Sequence, residues 1–211
     1  MYQTQQRAGA RFTSHHAWEV PEIFSGAEQE AAGVESAAGL ADVSWMVKLD
    51  LKGFGLRAAP PLAAPASCWQ LGFSHYLVLC DPEDRETTLA GVRALGSRPG
   101  DLGLPPPVYC TDVTSGYAAL LLAGPRSRQV LRKLTSLNVS QAALPDGGCG
   151  QAGLAHVHAT VLRRDLGALP AFLLLVSRDY AESVWEAVMH AGHEYHMTPF
   201  GLAALRRWMA R

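Results

Sequence analysis

The apolar runs in this chain are short and fall into three punctuated blocks that follow one another. Tyr76 to Cys80 (YLVLC), Tyr117 to Ala123 and Ala171 to Ser177 each read as a strand. A segment with helical spacing follows each of them. After YLVLC, Asp81 can cap and Pro82 suits a first turn, which starts a helix running to about Leu95. Gly124-Pro125 opens a second helix with Val130, Leu131 and Leu134 at helical spacing. Asp179 to Ala191 carries Tyr180, Val184, Trp185 and Val188 on one side.

The remaining segments fill in around these units. Val20 to Leu40 contains a small-residue helix ending at Gly39, and Val43 to Leu51 alternates so that Val47, Leu49 and Leu51 share a strand face. The Pro/Ala tract Arg57 to Ser67 and the tract SRPGDLGLPPP are expected as loops. Val108 to Val113 and Tyr117 to Ala123, separated by Thr114-Ser115-Gly116, are expected as a hairpin. Ala155 to Leu162 and Ala171 to Ser177 are expected to pair. A short strand, His193 to Met197, and a helix from Pro199 complete the chain. Such strand and helix units argue for an α+β fold of two small antiparallel or mixed sheets, each with helices on one face. The expected domain is one, residues 1–211, in lobes of about 1–113 and 114–211.

Composition narrows the function classes. With 48% hydrophobic and 18% charged residues, the 211 residues suit a globular core rather than a disordered tail. Eighteen Lys and Arg against nineteen Asp and Glu give a net charge of -1, which leaves no electrostatic footprint for nucleic acid. The opening MYQTQQRAGARF lacks the apolar region of an export signal, and no apolar run reaches the roughly 20 residues of a membrane span, so a soluble, cytoplasmic protein without a membrane partner is expected.

Metal chemistry is not expected. Cys68, Cys80, Cys110 and Cys149 share no close spacing. His190, His193 and His196 are three apart, but Gly192 ends the helix between them and turns their side chains in unrelated directions. His156 and His158, two apart on an expected strand, read as its polar face. The Gly147 to Gln151 tract lacks the Lys-Ser/Thr of a phosphate loop and reads as a turn, and no nucleophile elbow occurs.

From Ala8 to Gly53 the chain places a Trp-Glu-Val-Pro segment, the small-residue helix and a D-V-S-W-M strand start in fixed order. This block resembles the opening of the glycine-cleavage T-protein (aminomethyltransferase) family. YLVLCDPEDRETTLAGV, TDVTSGYAALLLAGPRSRQVLRKL and YAESVWEAVMHAG…MTPFGLAALR resemble later segments of the same family in the same order. The resemblance implies the aminomethyltransferase folate-binding fold, tetrahydrofolate as cofactor and a place in one-carbon metabolism. It also carries over four cofactor-binding residues. Met46 matches a methionine that lines the pterin cavity, Asp81 stands where the family has an asparagine, Asp165 is the nearest carboxylate to a glutamate-bearing segment, and Arg163 is placed to meet the folate tail.

The departures from the pattern point away from independent turnover. The family's hairpin with its catalytic Asp lies between the first strand and the Y-L-V-V strand, and here Gly53 reaches Tyr76 through only the Pro/Ala tract. No catalytic residue is therefore assigned, since methylene transfer needs a positioned carboxylate. The shortened pattern, with the family's C-terminal barrel domain expected to be absent, resembles the γ subunit of heterotetrameric sarcosine oxidase. That resemblance implies a non-catalytic, folate-binding-fold accessory protein, partnered by larger flavoprotein subunits or by its own copies. The alternatives are a minimal tetrahydrofolate-dependent aminomethyltransferase and a ligand-free interaction module.

Overall fold

A computed structural model describes residues 1–53, 56, 62, 66–96 and 108–209. In chain order the elements are α1 (Tyr2–Arg7), β1 (Arg11–His15), β2 (Trp18–Ile23), α2 (Ala27–Ser36), β3 (Gly39–Asp42), β4 (Val47–Lys52), β5 (Ser67–Gly72), β6 (His75–Cys80), α3 (Arg85–Gly96), β7 (Tyr109–Asp112), β8 (Tyr117–Ala123), α4 (Ser127–Arg132), β9 (Cys149–Leu154), β10 (Val157–Arg163), β11 (Ala171–Ser177), α5 (Ala181–Gly192), β12 (Thr198–Pro199) and α6 (Leu202–Met209). The expected Pro/Ala and SRPGDLGLPPP loops lie largely outside the described residues.

The chain divides into two units: Met1–Trp45 with Tyr117–Arg211, and Met46–Gly116. The lobes expected from sequence, 1–113 and 114–211, are thus replaced by a discontinuous unit and an inserted one. The physical reason is strand pairing, because β3 lies between β12 and β8 and so joins the first 45 residues to the last 95.

The discontinuous unit is built on a six-stranded sheet in the order β12-β3-β8-β11-β10-β9, antiparallel except where β12 runs parallel to β3. Leu120 and Leu122 of β8 and Phe172, Leu174 and Val176 of β11 pack with Val130 and Leu131 of α4 and with Val184, Trp185 and Val188 of α5. Each such side chain contributes about 1.5–3 kcal/mol by leaving water. In α5 the buried residues fall at helical spacing, as expected. Tyr180 does not join them: it sits in a 3-10 turn ahead of the helix and is 51% exposed. A separate hairpin, β1–β2, completes the unit.

The inserted unit is a four-stranded sheet in the order β5-β6-β4-β7, with α3. Val47, Leu49 and Leu51 share one face, as expected, and form a core with Tyr76, Val78, Cys80 and Val92 of α3.

Several local readings change. The alternation from Val43 to Leu51 is two strands in two sheets, since the Val43 N–H donates to Ala119 while pairing with β6 begins at Val47. Gly39 begins β3 rather than ending a helix. The expected hairpin of Val108–Val113 with Tyr117–Ala123 does not form: β7 pairs with β4, β8 pairs with β3 and β11, and a 3-10 turn at Thr114–Gly116 separates them. The glycine-rich tract is mostly strand β9. Residues His193–Tyr195 form a 3-10 turn, ended by left-handed His196, in place of a strand.

The pairing of β10 with β11 matches expectation, but Ala155 and His156 lie in the turn before β10. Both have positive φ, 47° and 69°, in a two-residue connection closed by the Leu154–Val157 pair. That is the twist of a type I′ hairpin turn. His16 and Ala17, with φ of 48° and 64° between paired His15 and Trp18, repeat the device.

Candidate functional site

Of the four residues carried over by resemblance, two meet at one end of a ladder. The antiparallel register pairs Val47 with Cys80, so Met46 and Asp81 stand side by side just beyond β4 and β6. Both are half-buried. The Met46 carbonyl accepts a 2.9 Å hydrogen bond from the buried Lys48 ammonium. Asp81 holds the first turn differently from expectation. Its backbone is extended, its side chain makes no capping bond, and its carbonyl accepts the Asp84 N–H at 3.0 Å.

The other two hold each other. Arg163, at the end of β10, is 2% exposed. Its Nε donates to Asp165 Oδ1 at 3.0 Å, its Nη2 to Asp165 Oδ2 at 2.6 Å and its Nη1 to the Leu144 carbonyl at 2.8 Å. Asp165 also accepts the Ala171 N–H at 3.2 Å, and its own N–H donates to Asp146 at 2.8 Å. This paired fork fastens β10, the following loop and the start of β11. Burial of the guanidinium makes the pair a structural joint.

A polar cluster that sequence reading missed lies at the far end of the same β4–β6 ladder. Asp50 contacts His75 Nε2 through Oδ1 and Lys52 Nζ at 2.9 Å through Oδ2. Burial alone would raise the Asp50 carboxyl, but hydrogen bonds and charge from Lys52 and His75 outweigh it and hold the group below the usual carboxylate range. Asp112 is likewise lowered: burial opposes ionisation, while bonds from Thr114 and Arg85 favour it.

Two cavities in the discontinuous unit have polar side chains in their walls. One, of about 740 Å³, is an open groove bordered by Lys133, Thr135, His156 and His190. Lys133 there is already engaged: it donates to the Ala191 carbonyl at 3.0 Å, pairs with Glu194 and lies 5.0 Å from the Tyr195 ring centre. The other, of about 280 Å³, is more enclosed and sits beside the D-V-S-W segment, with Gln5, Trp18, Asp42, Trp45, Arg178 and Glu182 in its wall. Asp42 Oδ1 accepts the Ser44 N–H at 3.0 Å, and Oδ2 accepts Gln5 Nε2 at 3.2 Å. The Ser44 hydroxyl in turn accepts the Ala119 N–H at 3.1 Å, so the D-V-S turn is tied to β8. The only signal for this wall in the sequence is the Trp-Glu-Val-Pro and D-V-S block itself. Among the described residues no three His, Cys, Asp or Glu side chains gather as a metal site, and no helix is long and apolar enough to cross a membrane.

Residues 66–208 match the family model described as the GCVT N-terminal domain. The chain belongs to that family. The GCVT N-terminal assignment agrees with curated relatives: an aminomethyltransferase of Geobacillus kaustophilus is 27% identical over 97% of this chain and 61% of its own length. An aminomethyltransferase of Acidobacterium capsulatum is 28% identical over 94% of this chain and 58% of its own. This GCVT N-terminal chain thus spans about three fifths of the length of the curated relatives it matches. Among solved structures, the glycine cleavage system aminomethyltransferase T of Bartonella henselae superposes with a TM-score of 0.69 at 17% identity, covering 96% of this chain and 59% of that one. A chain of the heterotetrameric sarcosine oxidase of Corynebacterium sp. U-96 gives a TM-score of 0.59 at 18% identity, covering 80% of this chain and 92% of that one. Both likenesses establish the aminomethyltransferase-like α+β fold.

Proposed function

We propose that this protein is an accessory subunit of the sarcosine-oxidase type, folded like a folate-binding domain and without turnover of its own. The observation that carries the reading is the likeness of fold to a chain of a heterotetrameric sarcosine oxidase, at a TM-score of 0.59. The sarcosine oxidase chain is matched over 92% of its length, whereas the aminomethyltransferases are matched over about three fifths of theirs. The likeness to a chain of a heterotetrameric oxidase supports a role inside a multi-chain assembly, with larger flavoprotein subunits as partners in cytoplasmic one-carbon metabolism.

The residues fit tetrahydrofolate in part. Met46 and Asp81, adjacent beyond one rung, suit an apolar wall and an acceptor for pterin N–H donors. Arg163 and Asp165 do not fit the folate tail, because each is committed to the other. Bound folate would carry the one-carbon unit, and the chain's own contribution is to seat the ring. The adjacency of Met46 and Asp81 also favours a second reading, a minimal aminomethyltransferase with Asp81 as the carboxylate.

Co-expression with candidate flavoprotein subunits and purification through a tag on this chain tests the first reading, with a stoichiometric flavin-containing complex expected. Recovery of this chain alone, together with methylene-tetrahydrofolate formation by it from an aminomethyl donor, would replace the first reading with the second.

A further inference from the structure

The enclosed cavity of about 280 Å³ lies below the roughly 300–1,000 Å³ typical of pockets for drug-sized ligands, so its occupant is small. Its wall combines aromatic faces with hydrogen-bond acceptors. Gln5 is 2% exposed, yet its side chain makes one hydrogen bond, from Nε2 to Asp42. No donor among the described residues reaches Gln5 Oε1. The Gln5 amide oxygen is not one of the fully buried atoms left without a partner, so it keeps accessible surface at the cavity wall, where it can accept an N–H from a ligand. Asp42 places a carboxylate against the same amide, and Glu182 adds a second carboxylate, which binds the Thr4 hydroxyl and lies 3.5 Å from the Met1 ammonium.

The aromatic side of the cavity is already suited to positive charge. The Arg178 guanidinium lies 5.2 Å from the Trp18 ring centre, within cation–π range. Trp45, 3% exposed, packs against His15 in a T-shaped arrangement at 4.5 Å between centroids. Indole faces attract cations and tolerate methyl or methylene groups, carboxylates neutralise the charge, and the amide oxygen takes an N–H.

We propose that this cavity binds a small alkylammonium ion carrying at least one N–H. The ion's N–H points to Gln5 Oε1 and Asp42, and its alkyl groups lie against Trp18 and Trp45. The inference does not rest on the proposed subunit role and stands or falls separately.

The test follows the indole N–H resonances of Trp18 and Trp45 during titration with dimethylammonium chloride, at ionic strength held constant with sodium chloride. Saturable shifts are expected with dimethylammonium, and none with tert-butanol, an uncharged compound of similar bulk. Asp42→Asn, which keeps the shape and removes the charge, is expected to weaken binding about tenfold or more. Gln5→Met removes the amide oxygen at similar volume and serves the same purpose if Asp42→Asn does not fold. Linear or absent shifts, equal shifts with tert-butanol, or unchanged affinity in a folded variant would overturn the proposal.

Discussion

Glu30 holds Gly201 across 171 positions of sequence: its Oε2 accepts the Gly201 N–H at 2.8 Å. Its Oε1 meanwhile accepts the amides of Phe24, Ser25 and Gly26 at 2.7, 2.8 and 3.1 Å. One buried carboxylate therefore satisfies the backbone ahead of α2 and ahead of α6 together. Removing it leaves four amides to find partners in a site that is 2% exposed. Glu30→Ala should lower unfolding free energy by about 3 kcal/mol or more. Urea denaturation monitored by tryptophan fluorescence measures this, and a loss under about 1 kcal/mol would show that the amides are satisfied another way.

The Arg163–Asp165 joint makes a related prediction with a different chemistry. Truncating one partner of a buried pair strands the other's charge, so Asp165→Ala should cost about 3 kcal/mol. The double change Asp165→Ala with Arg163→Met should recover part of that loss, because it leaves no uncompensated charge. A double-mutant cycle by chemical denaturation reads the coupling directly.

The two tight hairpins store backbone strain that substitution can release. Ala155 and His156 both occupy left-handed backbone, where a side chain costs about 1 kcal/mol each. Replacing them with Asn and Gly should raise stability by about 1 kcal/mol. A thermal midpoint that stays put would mean that His156 gains elsewhere what its backbone loses.

Acid should weaken the inserted unit in a defined way. The Asp50 and Asp112 carboxyls are held low in the folded protein, so their contribution is complete above the unfolded carboxylate value near 3.9. It is lost as pH falls through the folded values. Asp50→Asn should therefore flatten the decline in stability below about pH 4 while changing little of the slope near neutrality. Urea midpoints taken across that window in both proteins measure the difference.

Much of the fold is legible from residue spacing. The 3.6-residue pattern in α5 and the apolar runs of β6, β8 and β11 correspond to buried faces because burial selects the residue type directly. Strand partnership is less legible. Alternation continues unbroken through Val43, Trp45 and Val47, all buried, although the hydrogen-bond partner changes from β8 to β6. Likewise, β7 and β8 are neighbours in sequence with a turn between them, and only the long-range register shows that they belong to different sheets. Met46 and Asp81 are expected at a site only through family resemblance, whereas their adjacency follows from the Val47–Cys80 pair. The cavity wall could not be read from spacing at all, because Gln5, Asp42 and Glu182 come from three distant segments.

Because β3 sits between β8 and β12, the discontinuous unit has a consequence for synthesis on the ribosome. The inserted unit is one continuous stretch and can complete its sheet while later residues are still being added. Strand β3, by contrast, must wait for neighbours made more than seventy positions later. Over that interval both edges of β3 lack their strand partners, the condition in which a strand is open to pairing with another chain.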